Sequence, residues 1–187
     1  MAEVVLVEYR PAWATEFAAL TAQLEEALGD IARRIDHIGS TAVPDLHAKD
    51  VLDVQVIVDR LVPLEALLPH GFEARFGGAI VRDHVPHGWT GPARAWDKLL
   101  YARLEGRRVH LHVRVAGAPN ERYALLFRDY LRANDDARDR WGAVKARIAA
   151  ETGSRDAYAE AKDPLTDVVM TEAERWATAN AWSVPSP

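Results

Sequence analysis

Residues 37–58 read HIGSTAVPDLHAKDVLDVQVIV, a turn of small residues running into an alternating strand. From Val51 to Val58, the two-residue period of a strand puts Leu52, Val54, Val56 and Val58 on one face. Val51, Asp53, Gln55 and Ile57 share the other. The apolar row suits a sheet packed on a core, whereas Asp53 and Gln55 suit solvent, a cleft or a ligand. Ahead of the strand, Gly39-Ser40-Thr41 brings a glycine, two hydroxyls and successive backbone N–H groups to a strand end. Such a turn can cradle phosphate, because glycine lets the backbone approach closely and the amides form an anion nest. Lys49 adds charge nearby. The same residues also make an ordinary turn.

A second strand repeats the pattern. In Arg108–Val115, Val109, Leu111, Val113 and Val115 share a face, and Arg108, His110, His112 and Arg114 share the opposite one. Working outward, a short strand is expected over Glu3–Glu8. A helix follows from Pro11 to Leu28, carrying Trp13, Phe17, Leu20, Leu24 and Leu28 on one stripe and closed by Gly29. Ile31–Ile38 reads as a strand and Leu61–Leu68 as a short helix. Phe72–Arg75, Ala79–Val85 and Lys98–Leu104 are strand-like between Gly, Pro and His-rich turns, as in a mostly antiparallel sheet. After Asn120, placed to cap a helix, the pattern turns helical. Tyr123, Leu126, Phe127, Tyr130 and Leu131 share one face, and Trp141, Val144 and Ile148 mark a second helix. Asp163-Pro164 predicts the start of a third, with Leu165, Val168, Val169, Ala173 and Trp176 as its apolar stripe.

The 187 residues suit a single domain over 1–182, followed by a loose tail over 183–187. The absence of Cys excludes disulfides, thiol catalysis and Cys-ligated metal. No run of about 18 apolar residues marks a membrane span, and the acidic start does not read as a signal peptide, so a cytoplasmic protein is expected. Net charge of −5 with no basic stripe argues against specific nucleic-acid binding.

The turn at Gly39-Ser40 followed by Asp53 on the next strand resembles the core of the nucleotidyltransferase superfamily. Within it, the chain looks like the uncharacterised GrpB family. Residues 37–58 are similar to its signature segment, and the likeness continues in Trp13 and Phe17, in RVHLHVRV at Arg108–Val115, in residues 126–149, and in Tyr158 with Lys162. The resemblance implies an α/β (α+β) fold, a nucleotidyltransferase-like mixed sheet with flanking helices and a helical C-terminal third. The family also occurs fused to dephospho-coenzyme A kinase, which implies a coenzyme A or nucleotide context. An active enzyme of this pattern carries Asp-x-Asp where this chain has Asp53-Val54-Gln55, both acids ligating Mg²⁺, and a third acid on a later strand. Here Gln55 replaces the second acid, and His110 and His112 stand where the third is expected. Both types suit hard Mg²⁺ poorly. The family pattern also has Gly where this chain has Asp45, and Pro where it has Asp50; Asp50 points to the face opposite Asp53.

The expected function is binding of a nucleotide or phosphorylated small molecule. Gly39, Ser40, Thr41 and Lys49 would hold phosphate, and Asp53, His110 and His112 would act as orienting groups, bases or ligands. A divalent metal (Mg²⁺, Mn²⁺ or Zn²⁺) on Asp53, Gln55 and His112 is one use of these groups. A hydrogen-bonded network in which Asp53 accepts from His112 or Arg114 is the other. The alternative function is a catalytically silent interaction module that supports a partner enzyme, plausible in coenzyme A synthesis. Three further features admit two readings each: His84-x-x-His87 as a turn or metal ligands, Arg128 with Arg132 as a solvated face or an anion frame, and Trp89 with Trp96 as loop anchors or a stacking platform.

Overall fold

A computed structural model describes residues 4–186, with the side chains of 155 and 156 left aside. A mixed sheet is flanked by helices on both faces. Its strands are β1 (Arg34–Ile38), β2 (Leu52–Val58), β3 (Glu73–Ala74), β4 (Val81–Arg82), β5 (Asp97–Arg103) and β6 (Val109–Val115). The order is β1-β2-β6-β5-β3, with β4 paired to β5. β2 runs parallel to β6, and the other pairings are antiparallel. β2 is therefore an interior strand, as its alternation predicts.

The apolar rows of β2 and β6 face α1 (Ala12–Leu28), where Trp13, Leu20 and Leu24 complete the main core with Leu52, Val54, Leu111 and Val113. Each of these residues is nearly solvent-free, and a buried aliphatic or aromatic side chain contributes roughly 1.5–3 kcal/mol. The opposite, polar face lies under α2 (Pro119–Ala133), α3 (Asp135–Glu151) and α4 (Arg155–Ala179). The register aligns Asp53 with His110 and Gln55 with His112 across β2 and β6, so the two polar rows meet on this face.

Several local expectations are corrected. Among the described residues of the Glu3–Glu8 segment there is one bridge, Val7 to Ala48, and no strand; Glu3 lies outside the described residues. Residues 29–31 form a turn of 3₁₀ helix before β1, and 65–70 form another in place of an α-helix. Asn120 lies inside the first turn of α2, not at its cap. Its Nδ2 donates to Asp83 Oδ2 and to the carbonyls of Trp96 and Asp97. The last helix does not begin at Asp163-Pro164. It starts after Ser154, whose hydroxyl accepts from Ala157 N, and runs through Pro164. Proline there removes one ladder bond, yet packing against α2 and α3 keeps the helix continuous. Its buried face is turned from the expected stripe: Tyr158, Met170, Ala173 and Ala177 are buried, while Leu165 and Val168 are exposed. In the tail, the Pro185 carbonyl accepts from Arg34 Nη1, and Pro187 lies outside the described residues. Among the described residues, no helix is long and apolar enough to cross a membrane.

Candidate functional site

The turn after β1 is held from several sides. Gly39 has φ +69° and ψ −169°, a region open essentially to glycine. A Cβ on it would lie 2.6 Å from Asp53 Oδ2 and 2.9 Å from Asp53 Cβ, so the glycine lets the backbone lie against the carboxylate. Arg128 Nη1 donates to the His37 carbonyl at 2.9 Å and Arg132 Nε to the Ala42 carbonyl at 2.8 Å. These arginines clamp the two ends of the turn, which neither reading of their sequence spacing anticipates. The Thr41 hydroxyl pairs with buried His37 Nε2 at 2.9 Å and so faces inward, away from the role of ligand donor. Phe17 stacks on the His37 ring. Burial, helped by nearby arginines and opposed by Asp53, pushes His37 down to about 4, so it is neutral near pH 7.

Ser40 Oγ lies 3.0 Å from Lys145 Nζ, and the same ammonium position touches the His47 carbonyl. Lys145 sits on α3 between Trp141 and Ile148 on the buried stripe and is 2% exposed. Burial first, then the neighbouring Lys162 and Lys49 against the pull of Asp53, lower it from 10.5 to about 7.

The polar face of the sheet carries one continuous chain of contacts. Asp53 Oδ1 is 3.3 Å from His110 Nδ1 and 3.8 Å from His112 Nε2. Burial disfavours the Asp53 carboxylate, yet the two imidazoles outweigh it and hold its pKa well below the usual range. His112 Nδ1 lies 2.9 Å from Lys98 Nζ, a donor, which assigns the ring proton to Nε2 on the Asp53 side. Burial and Lys98 push His112 down to about 4. Lys98 pairs with Asp83, which also accepts from Arg114 Nε at 3.0 Å. These two cations hold Asp83 ionised far below its ordinary value against the cost of burial. Arg114 Nη1 donates to Gln55 Oε1 at 2.7 Å, and Gln55 Nε2 donates to Asp36 Oδ2 at 2.8 Å. Asp36 pairs with Arg34, and Arg34 with Glu121 at 2.6 Å. Every member is paired, the condition under which buried charges persist.

This network decides what a metal would find. Gln55 is fully buried and both ends of its amide are engaged, so it has no oxygen to offer. The residues present do not fit the paired carboxylates that Mg²⁺ on a triphosphate requires. Asp53, His110 and His112 do converge, but His112 has both ring nitrogens engaged, Nδ1 by Lys98 and protonated Nε2 on the Asp53 side, and offers no lone pair to a cation.

Every residue proposed for the site from the sequence except Gln55 borders one cavity of about 470 Å³ between the polar face and the covering helices. Sequence reading missed four groups there: Asp83, Lys98, Lys145 and Lys162. Lys145 was findable, as a charge on an apolar helical stripe. Asp83 was not, because it follows a two-residue strand in an irregular connection. His84 Nε2 and His87 N both engage the Asp167 carboxylate, so the His84-x-x-His87 segment is a turn tied to α4. Trp96 is buried and packs edge-on against Trp89 and Tyr123, anchoring its loop.

The pattern of the GrpB protein family matches residues 3–172. A dephospho-CoA kinase of Mycolicibacterium paratuberculosis is 35% identical over 97% of this chain and 48% of its own length. A UPF0157 protein of Halalkalibacterium halodurans is 30% identical over 92% of this chain and 83% of its own. The crystal structure of the conserved protein GrpB from Enterococcus faecalis superposes with a TM-score of 0.72 at 27% identity, covering 92% of this chain and 99% of that one. The chain spans about half the length of the kinase-named relatives it matches.

Proposed function

The chain belongs to the GrpB family, and from that premise we propose that it binds a nucleotide or phosphorylated small molecule in the cleft over the polar sheet face. The observation that carries this reading is the convergence of Lys49 and Lys162, from two separate segments, on the cavity that Ser40 and Lys145 border. The chain as a whole has a net charge of −5. Cations gathered in an otherwise acidic protein raise the local potential for an anion. Lys98 and Arg114 contribute less, because both are paired with the Asp83 carboxylate. The phosphate rests on Gly39 and Ser40, while Asp53 and His110 orient the remainder. Within this class, the names of the kinase-like relatives favour an adenine nucleotide of the coenzyme A type. The engaged Gln55 amide favours binding over nucleotidyl transfer. A second reading, an interaction module supporting a partner enzyme, draws on the chain's match to only half of those longer relatives.

Thermal unfolding with ATP, dephospho-coenzyme A and pyrophosphate, each with and without Mg²⁺, Mn²⁺ or Zn²⁺, tests the reading. A ligand at a hundredfold its Kd adds about 2.7 kcal/mol of stability. Double replacement Lys49→Ala, Lys162→Ala should remove most of that gain. No shift with any of these at millimolar concentration refutes binding and leaves the interaction module.

A further inference from the structure

We propose that Ser40 is a nucleophile and Lys145 its general base, acting together on a phosphoryl group presented in the cleft. The pair rests on the binding reading for its phosphoryl substrate and goes beyond it in assigning a chemical step. Lys145 Nζ lies 3.0 Å from Ser40 Oγ, within reach for direct proton transfer. The two residues are 105 positions apart, so tertiary packing of α3 on the turn creates the contact. The His47 carbonyl on the other side of Nζ can only accept, which directs one N–H of the amine toward it. A neutral amine held this way turns its lone pair to the Ser40 hydroxyl proton.

Burial and two neighbouring lysines favour that neutral form, against the pull of Asp53. Lys49 precedes β2, Lys162 and Asp163 project from α4, and Asp53 and His110 complete the cavity wall. Burial and the two lysines bring Lys145 down to about 7, so a large share of the amine is unprotonated at neutral pH. Ser40 borders the cavity and is not fully enclosed, which leaves its hydroxyl accessible to a ligand. A buried base beside an accessible hydroxyl is the arrangement that activates a serine.

In the reaction, Lys145 takes the Ser40 proton as the Oγ–P bond forms. The bond from phosphorus to the leaving group breaks, and that group departs with its electron pair and accepts the proton from Lys145. Water then cleaves the Ser40 phosphoester, restoring the hydroxyl and releasing phosphate. Lys49 and Lys162 offset the charge on the phosphoryl oxygens.

A fluorophosphonate probe, incubated with the full chain and followed by intact mass and peptide mapping, tests the pair. The expected result is fluoride release and a covalent adduct on Ser40, with a rate that rises through pH 7 and levels above it. Ser40→Ala should abolish the adduct. Lys145→Arg keeps the positive charge but removes the base, and should slow labelling about 100-fold. Lys145→Ala should be partly rescued by methylamine, with melting curves confirming that each variant folds. Should the Lys145 variants fail to fold, the wild-type adduct and its pH profile decide. The proposal is overturned if Ser40 in the wild-type chain is unlabelled, if the rate is flat from pH 6 to 9, or if Lys145→Arg labels at the wild-type rate. Stabilisation by ATP, dephospho-coenzyme A or pyrophosphate is scored separately. Stabilisation without an adduct overturns the nucleophile alone, and an adduct without stabilisation overturns the binding reading alone.

Discussion

Replacing Lys145 with Met should make the protein more stable near neutral pH. The side chain is 2% exposed and its pKa falls from 10.5 to about 7, chiefly through burial and then through Lys162 and Lys49. At 1.36 kcal/mol per unit, that lowering costs the folded state roughly 5 kcal/mol when the unfolded lysine is charged. Methionine matches the length without the charge. It forfeits the contacts to Ser40 Oγ and the His47 carbonyl, worth about 1–2 kcal/mol each once a buried acceptor is left unmet. The net gain is about 1–3 kcal/mol at pH 7. Between pH 7 and 10.5 the unfolded chain binds more protons at this residue than the folded one, so the wild-type contribution improves as pH rises. The advantage of Lys145→Met should therefore shrink by about 1.4 kcal/mol per pH unit through that window and reverse at about pH 8–9. Urea unfolding of both proteins from pH 6 to 10 measures it, and the difference between them isolates Lys145 from other titrating groups, among them Lys98. A variant less stable than wild type at pH 6, with a difference that does not change with pH, would refute the reasoning.

Gly39→Ala should destabilise by at least about 1–3 kcal/mol from backbone strain alone, since φ is +69° and the new Cβ meets Asp53; an unchanged melting temperature contradicts this. Asp83→Ala strands Lys98 and Arg114 in a largely buried site and should cost about 3–5 kcal/mol, read by chemical denaturation. Asp45 sits at φ +62°, so Asp45→Gly should raise stability by up to about 1 kcal/mol through relief of left-handed strain; a loss of stability would show that the Asp45 side chain contributes more than the strain costs. On the acid side, His37 and His112 resist protonation until about pH 4 in the folded protein, against 6.5 in the unfolded chain. Stability should thus fall as pH drops from 6.5 to 4, by up to about 3 kcal/mol per histidine. A curve that stays level across that range would count against both buried rings.

What could be read without coordinates was whatever a local period encodes. The two-residue alternation of Val51–Val58 and Arg108–Val115 sorted their side chains onto faces, and the stripe through Trp13, Leu20 and Leu24 marked the helix that covers one of them. Those assignments survive because burying an apolar row is worth the same wherever its partner lies along the chain. The parallel pairing of β2 with β6, some fifty residues later, carries no local signal, and it is this register that brings Asp53 to His110. Gln55 reads as an available ligand in the strand pattern, but Arg114 and Asp36 occupy the two ends of its amide in the fold. Proline at 164 read as a helix start because the lost hydrogen bond is local, whereas the contacts of α4 with α2 and α3 that outweigh it are not. The cleft follows the same logic. Its chemistry depends on charges from β2, β5, β6, α3 and α4 meeting in a low-dielectric space, where interaction falls with distance through the fold and not with separation along the sequence.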